Sequence, residues 1–93
     1  MNGVNGLEIT DVKVKKLNGL GRLVGEASIT LNNCFVVHNL KIIQLDNKKM
    51  VAFPSRKKVD GKFEDIAHPI NSEFRNYVES YIFEIFNKNE VSE

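Results

Sequence analysis

From Leu23 to Leu31 the chain alternates in character: Leu23, Gly25, Ala27, Ile29 and Leu31 hold one phase, Val24, Glu26, Ser28 and Thr30 the other. A period of two is the signature of a half-buried strand, because successive side chains point to opposite faces. Asn32-Asn33 follows, and asparagine tolerates positive φ, so a tight hairpin is predicted there. The next run, Cys34 to Leu45, is rich in β-branched and aromatic residues and apolar on both phases. It predicts a central strand covered, at least in part, on both faces. Upstream, Ile9 is out of phase with Val12 and Val14, which points to a bulge near Thr10-Asp11. Asn18-Gly19-Leu20-Gly21 and Asp46-Asn47-Lys48-Lys49 read as turns, and Met50 to Phe53 as a short strand. Pro54 lacks a backbone N–H, so pairing ends there or the strand lies on an edge. Ser55 to Lys62 reads as a polar loop with Asp60-Gly61 at its tip, and Phe63 to Ala67 as a short returning strand.

One segment is helical. Phe74, Tyr77, Val78, Tyr81, Ile82, Ile85 and Phe86 recur at three- and four-residue spacing and form one apolar stripe. Asn71 or Ser72 is placed to cap it; with Asn71 as the cap, Glu73 falls in the first turn, where a negative charge favours the helix dipole. The stripe docks on the sheet. Phe83 lies off it and is available to a partner subunit. The fold class is α+β: an antiparallel sheet of four to five strands followed by a C-terminal amphipathic helix.

Ninety-three residues, 42% of them hydrophobic and 27% charged, make one domain with a small core. The reading places a disordered N-terminal extension at 1–7, a single domain at 8–87 and a frayed polar tail at 88–93. Cys34 is the sole cysteine, which rules out an internal disulfide and fits a reducing compartment. Met1 to Gly6 lacks the basic start and apolar run of a signal peptide, and no stretch is apolar enough to span a bilayer. A cytoplasmic location is expected.

The net charge of +1 conceals an asymmetry. Between Val12 and Lys62 eleven cations meet three carboxylates, a surplus of eight; from Phe63 onward two cations meet seven carboxylates, a deficit of five. Such sorting fits either a polyanion site on the basic body or a merely well-solvated surface.

Candidate chemistry is sparse. His38 and His68 read as structural, His38 because it shares a strand phase with Val36 and Leu40. Cys34 can pair with His38, but neither the orienting group nor the oxyanion hole that nucleophilic catalysis also needs is signalled, and an inert buried thiol is the favoured reading. No spaced His/Cys/Glu set suits zinc, and Gly19-Leu20-Gly21 precedes no helix. No enzyme, cofactor or metal is expected. Ser55, Arg56, Lys57 and Lys58 gather three cations and a hydroxyl after a residue of fixed φ, a group suited to phosphate oxygens. Lys48 and Lys49 extend this patch if the intervening strand is short. Phe35, Phe53 and Phe63 are able to stack on bases, but core is the favoured place for each.

Three stretches resemble the stage V sporulation protein G (SpoVG) family: Phe35 to Ile43 (FVVHNLKII), Val51 to Lys57 (VAFPSRK) and Asp60 to Asn71 (DGKFEDIAHPIN). Ile9 to Val12 and Ala27 to Leu31 are similar to the family's opening strands. The resemblance implies a homodimer built around β-sheets with a terminal helix in each subunit. It also implies DNA and RNA binding in the regulation of gene expression, and an influence on asymmetric septation in spore formers. The family's basic pair maps onto Arg56 and Lys57, with Lys58 adjoining. Here the pair reads Arg-Lys where Lys-Arg is common, and Lys58-Val59 stands where Thr-Pro is frequent. His38 and the block from Asp65 to Asn71 are expected to be architectural, with a buried His38 bonded to Asp65 and His68-Pro69 setting the helix entry. The alternative of another class is a protein-interaction module of the division or sporulation machinery, with no small-molecule substrate and no membrane in either reading.

Overall fold

A computed structural model describes residues 5–17 and 21–88. Seven elements follow in order: β1 (Ile9–Lys16), β2 (Leu23–Leu31), β3 (Phe35–Gln44), β4 (Lys49–Ala52), β5 (Ser55–Lys57), β6 (Phe63–Asp65) and α1 (Ser72–Lys88). The first four form one antiparallel sheet in the order β1-β2-β3-β4, and β5 and β6 form a separate two-stranded hairpin. This is the expected α+β architecture. Most of the turn at 18–21 lies outside the described residues, as do residues 1–4 of the extension and 89–93 of the tail; Gly21 has φ +87°. Residues 5–7 form a turn tied to the β2–β3 hairpin, where Asn32 Nδ2 donates to Gly6 O at 3.3 Å and Asn32 Oδ1 accepts from Glu8 N at 2.8 Å.

The helix lies on one face of the sheet. Val78, Ile82 and Phe86, four residues apart, are its buried residues and meet Ala27, Ile29, Leu40, Ile42 and Val51 from β2, β3 and β4. Phe83, off the stripe, is half-buried against this core. Of the two candidate caps Asn71 is the one used, its Oδ1 accepting from Phe74 N at 2.8 Å, and Ser72 is the first helical residue. The Tyr77 hydroxyl accepts from Ile9 N at 2.9 Å, joining the helix to the first strand where the β1 ladder begins.

Register explains which residues face the core. Ile9 pairs with Leu31 and Asp11 with Thr30, so Thr10 is an extra residue and the buried phase passes from Ile9 to Val12 and Val14. Asn32 and Asn33 have φ of 52° and 57°, the left-handed pair that a two-residue hairpin needs. A second bulge was invisible in the pattern. Ala27 pairs with Leu40 but Ile29 with Val37, so His38 and Asn39 together oppose Ser28, and Asn39 takes φ +67°.

That bulge overturns two expectations. His38 shares a face with Val36, not with Leu40: Leu40 is buried, while Val36 and His38 are exposed. The strand apolar on both phases is covered on one side only, leaving Val36 open to solvent, while Phe35, on the helix side opposite Leu31, is exposed near the hairpin turn. Cys34, expected to be buried, is exposed beside the hairpin turn. Pro54 does end the main sheet, but Ser55–Lys57, read as loop, is a strand. No helix among the described residues is long and apolar enough to cross a membrane.

Candidate nucleic-acid interface

The β5–β6 hairpin starts from a fixed root. Phe53 is buried in the core with the Arg75 guanidinium 5.1 Å from its ring centroid. Pro54 follows, and its carbonyl accepts from Ile66 N at 2.7 Å, closing the base of the hairpin. Beyond it Ser55 pairs with Asp65, Arg56 with Glu64 and Lys57 with Phe63. Alternation places Arg56 and Glu64 on one face and Ser55, Lys57, Phe63 and Asp65 on the other.

The tip is a closed turn. Lys58 N donates to Lys62 O at 2.7 Å, Gly61 N to Lys58 O at 3.0 Å, and Lys62 N to Asp60 Oδ1 at 3.0 Å. Gly61 adopts φ +90°, which a Cβ would strain. These bonds bring Lys62 beside Lys58. Lys62 was missed as a site candidate because it lies at the far end of what read as an open loop.

Every residue from Ser55 to His68 is exposed. A cleft of about 460 Å³ is lined by Arg56, Lys57, Lys58, Val59, Asp60 and Glu64. Of the hairpin's three carboxylates, Asp60 is held by the turn and Glu64 lies 3.8 Å from Arg56. That pair is exposed on both sides, where ion pairs contribute about 1 kcal/mol or less, so a phosphate can displace the carboxylate. Three consecutive cations on a protruding hairpin can hold two or three phosphate oxygens by charge-assisted hydrogen bonds.

Arg56, Lys57 and Lys58 thus line one cleft, with Ser55 on the Lys57 side of the ribbon, and Lys48 and Lys49 are not among its lining residues. Lys48 lies in the turn before β4 and Lys49 at its start, up to about 20 Å from Ser55 along an extended backbone. Lys49 Nζ is 5.6 Å, and Lys16 Nζ 4.7 Å, from the centroid of the Phe86 ring, so both cover the C-terminal end of the helix. The bond expected between His38 and Asp65 is not formed: both are exposed, and they stand in different sheets. His68 Nδ1 lies 2.9 Å from Pro69 O, just before the helix. Among the described residues no group of three or more His, Cys, Asp or Glu is placed to hold a metal ion.

On the helix side, an apolar groove of about 380 Å³ opens between the β2–β3 hairpin, the segment after β6 and the start of the helix. Leu31, Phe35, Phe53, Ile70 and Phe74 line it, and Ile70 at its rim is 91% exposed.

Residues 7–88 match the SpoVG family model. The chain is 49% identical over 82 residues to a protein of Caldanaerobacter subterraneus subsp. tengcongensis, covering 88% of this chain and 90% of the relative. A protein of Caldicellulosiruptor saccharolyticus is 46% identical over 78 residues, with 84% and 89% covered. One from Phytoplasma australiense is 47% identical over 76 residues, with 82% and 79% covered. Each of these relatives bears the name "Putative septation protein SpoVG". With the motif blocks, the sheet-and-helix fold and these matches in agreement, the chain belongs to the SpoVG family.

Proposed function

We propose that this chain is a cytoplasmic, non-enzymatic regulator that binds DNA or RNA as a homodimer and acts in septation and sporulation. The observation that carries the binding is the basic hairpin, with Arg56, Lys57 and Lys58 in sequence, all exposed, and Lys62 folded back beside them. Phosphates supply most of the affinity in non-specific nucleic-acid binding, and such a group answers them without a base-specific pocket. Ser55 and Arg56 fix geometry, since a hydroxyl and a forked guanidinium are directional donors, while the lysines contribute charge.

The apolar groove supports the homodimer. A domain of this size buries only about two-thirds of its unfolded surface. Phe35, Ile66 and Ile70 stand open around or beside the groove, an apolar surface that a second copy would cover. Pairing two hairpins would raise apparent affinity through effective concentration. The septation role rests on the name borne by the relatives.

Anisotropy titrations of DNA and RNA oligomers, with sedimentation of the free protein, test this reading. Binding that weakens with salt by a sedimenting dimer supports it; a monomer that binds neither polymer at low salt would leave a protein-interaction module as the reading.

A further inference from the structure

The face of the hairpin that carries Ser55 and Lys57 also carries a ring, Phe63, that phosphate contact does not use. Lys57 pairs directly with Phe63, so the ammonium and the ring rise from the same side of a two-stranded ribbon, at the separation of nearest cross-strand neighbours. Phe63 is 71% exposed. Among the described residues no other ring and no cation lies over its face. A phenylalanine has a large apolar surface, and keeping it in water on a short hairpin is unfavourable unless something covers it.

We infer that the Lys57–Phe63 face is a stacking platform for an unpaired base, which makes single-stranded nucleic acid the substrate class of the basic hairpin. The inference rests on the hairpin being the nucleic-acid contact. Stacking on an aromatic ring needs a free π-face. A single strand offers one at every nucleotide, whereas a duplex must first unstack and unpair a base. Cations flank the ring along the ribbon: Lys57 stands on the same side of it, and Lys58 and Lys62, joined by a backbone hydrogen bond, follow at the tip, where a strand leaving the ring reaches them. Asp65 lies on the same face two residues beyond Phe63, opposite Ser55, and repels phosphate at the root. The strand therefore runs from the ring toward the tip. Because the ring reads no base edge, the platform is tolerant of sequence.

The chain has no tryptophan, so Phe63→Trp places a unique fluorophore on the platform. Single-stranded DNA or RNA should quench its emission, and affinity for the single strand should be kept. Phe63→Leu should weaken single-strand binding by about 5- to 100-fold, the effect of losing one stacked base. Binding to a blunt duplex of the same sequence should change by less than about 2-fold, since the phosphate contacts remain. Phe63→Tyr should restore single-strand binding. Unquenched tryptophan in a complex that anisotropy shows to be formed would overturn the inference. So would equal losses for single strand and duplex in Phe63→Leu, or a lower sedimentation coefficient in that variant, which would make the ring a subunit contact. Binding to both polymers that Phe63→Leu leaves unchanged sinks the platform and spares the phosphate site; wild-type protein that binds neither sinks both.

Discussion

At Gly25 the sheet leaves no room for a side chain beneath the helix residue Phe86, and Gly25→Ala tests whether the packing is as tight as the geometry requires. A Cβ at this position would lie 3.0 Å from Phe86 Cε1, 3.2 Å from Ile42 Cδ1 and 3.2 Å from the Lys15 carbonyl oxygen. The ring cannot easily retreat, because Lys16 and Lys49 cover it. The carbonyl belongs to β1, which pairs with β2 at this register. Overpacking a tight core costs about 1–3 kcal/mol. Restricting the unfolded chain by replacing glycine returns about 0.4–1 kcal/mol. At mid-range the net loss is about 1.3 kcal/mol, a fall in Tm of roughly 5–10 °C for a domain of this length. Urea denaturation at matched protein concentration measures it. The double variant with Phe86→Leu supplies the control: if the clash is with the ring, alanine should cost at least about 0.5 kcal/mol less in the leucine background. A stability change under about 0.3 kcal/mol, or strict additivity, would show that ring contact does not set the distance between helix and sheet.

Three further outcomes follow from single interactions. Asn71→Ala removes the cap on Phe74 N and should cost about 1 kcal/mol by thermal or urea denaturation, with Asn71→Ser or Asp restoring most of it. Tyr77→Phe leaves Ile9 N without the hydroxyl that accepts its proton; a loss of about 1 kcal/mol is expected, with faster amide exchange at Ile9 than at Val12. Glu64→Gln releases Arg56 from its 3.8 Å partner and removes a negative charge beside the cleft. Nucleic-acid affinity at low salt should rise by about 2- to 5-fold, with stability changed by less than about 0.5 kcal/mol, measured by anisotropy and denaturation in parallel.

Much of the fold was legible because its elements obey one period each. The alternation of Leu23 to Leu31, the Asn32-Asn33 turn, the slip at Thr10 and the helical stripe all appear where the pattern put them. His38 was misplaced because a bulge is a backbone event. Asn39 at φ +67° inserts one residue and inverts the facing of all that precedes it, and nothing in the run from Phe35 to Gln44 marks the insertion beyond a single asparagine. Val36 looked like core by residue type, but one helix covers only one face of the sheet, and composition does not say which; Cys34 and Phe35, at the β2–β3 turn, are exposed although Phe35 stands on the helix side. The site was half legible. Ser55 to Lys58 stood out as charge after proline, yet their strand character was hidden, because three polar residues carry no hydrophobic alternation. Pairing alone reveals that Phe63 stands opposite Lys57. Lys48 and Lys49 were joined to the patch by closeness in sequence, whereas β4 separates them from it and the ring of Phe86 engages Lys49.

The central claim is that the hairpin binds phosphates, and a salt series of anisotropy titrations tests it most directly, wild type beside Arg56→Ala/Lys57→Ala/Lys58→Ala. For wild type, log affinity should fall linearly with log salt. The triple variant should show a slope shallower by about 2 for single strands and up to about 3 for duplex DNA, as expected for two or three lost phosphate contacts. Equal slopes for the two proteins, with affinity unchanged, would place the nucleic acid elsewhere on the molecule and contradict the account.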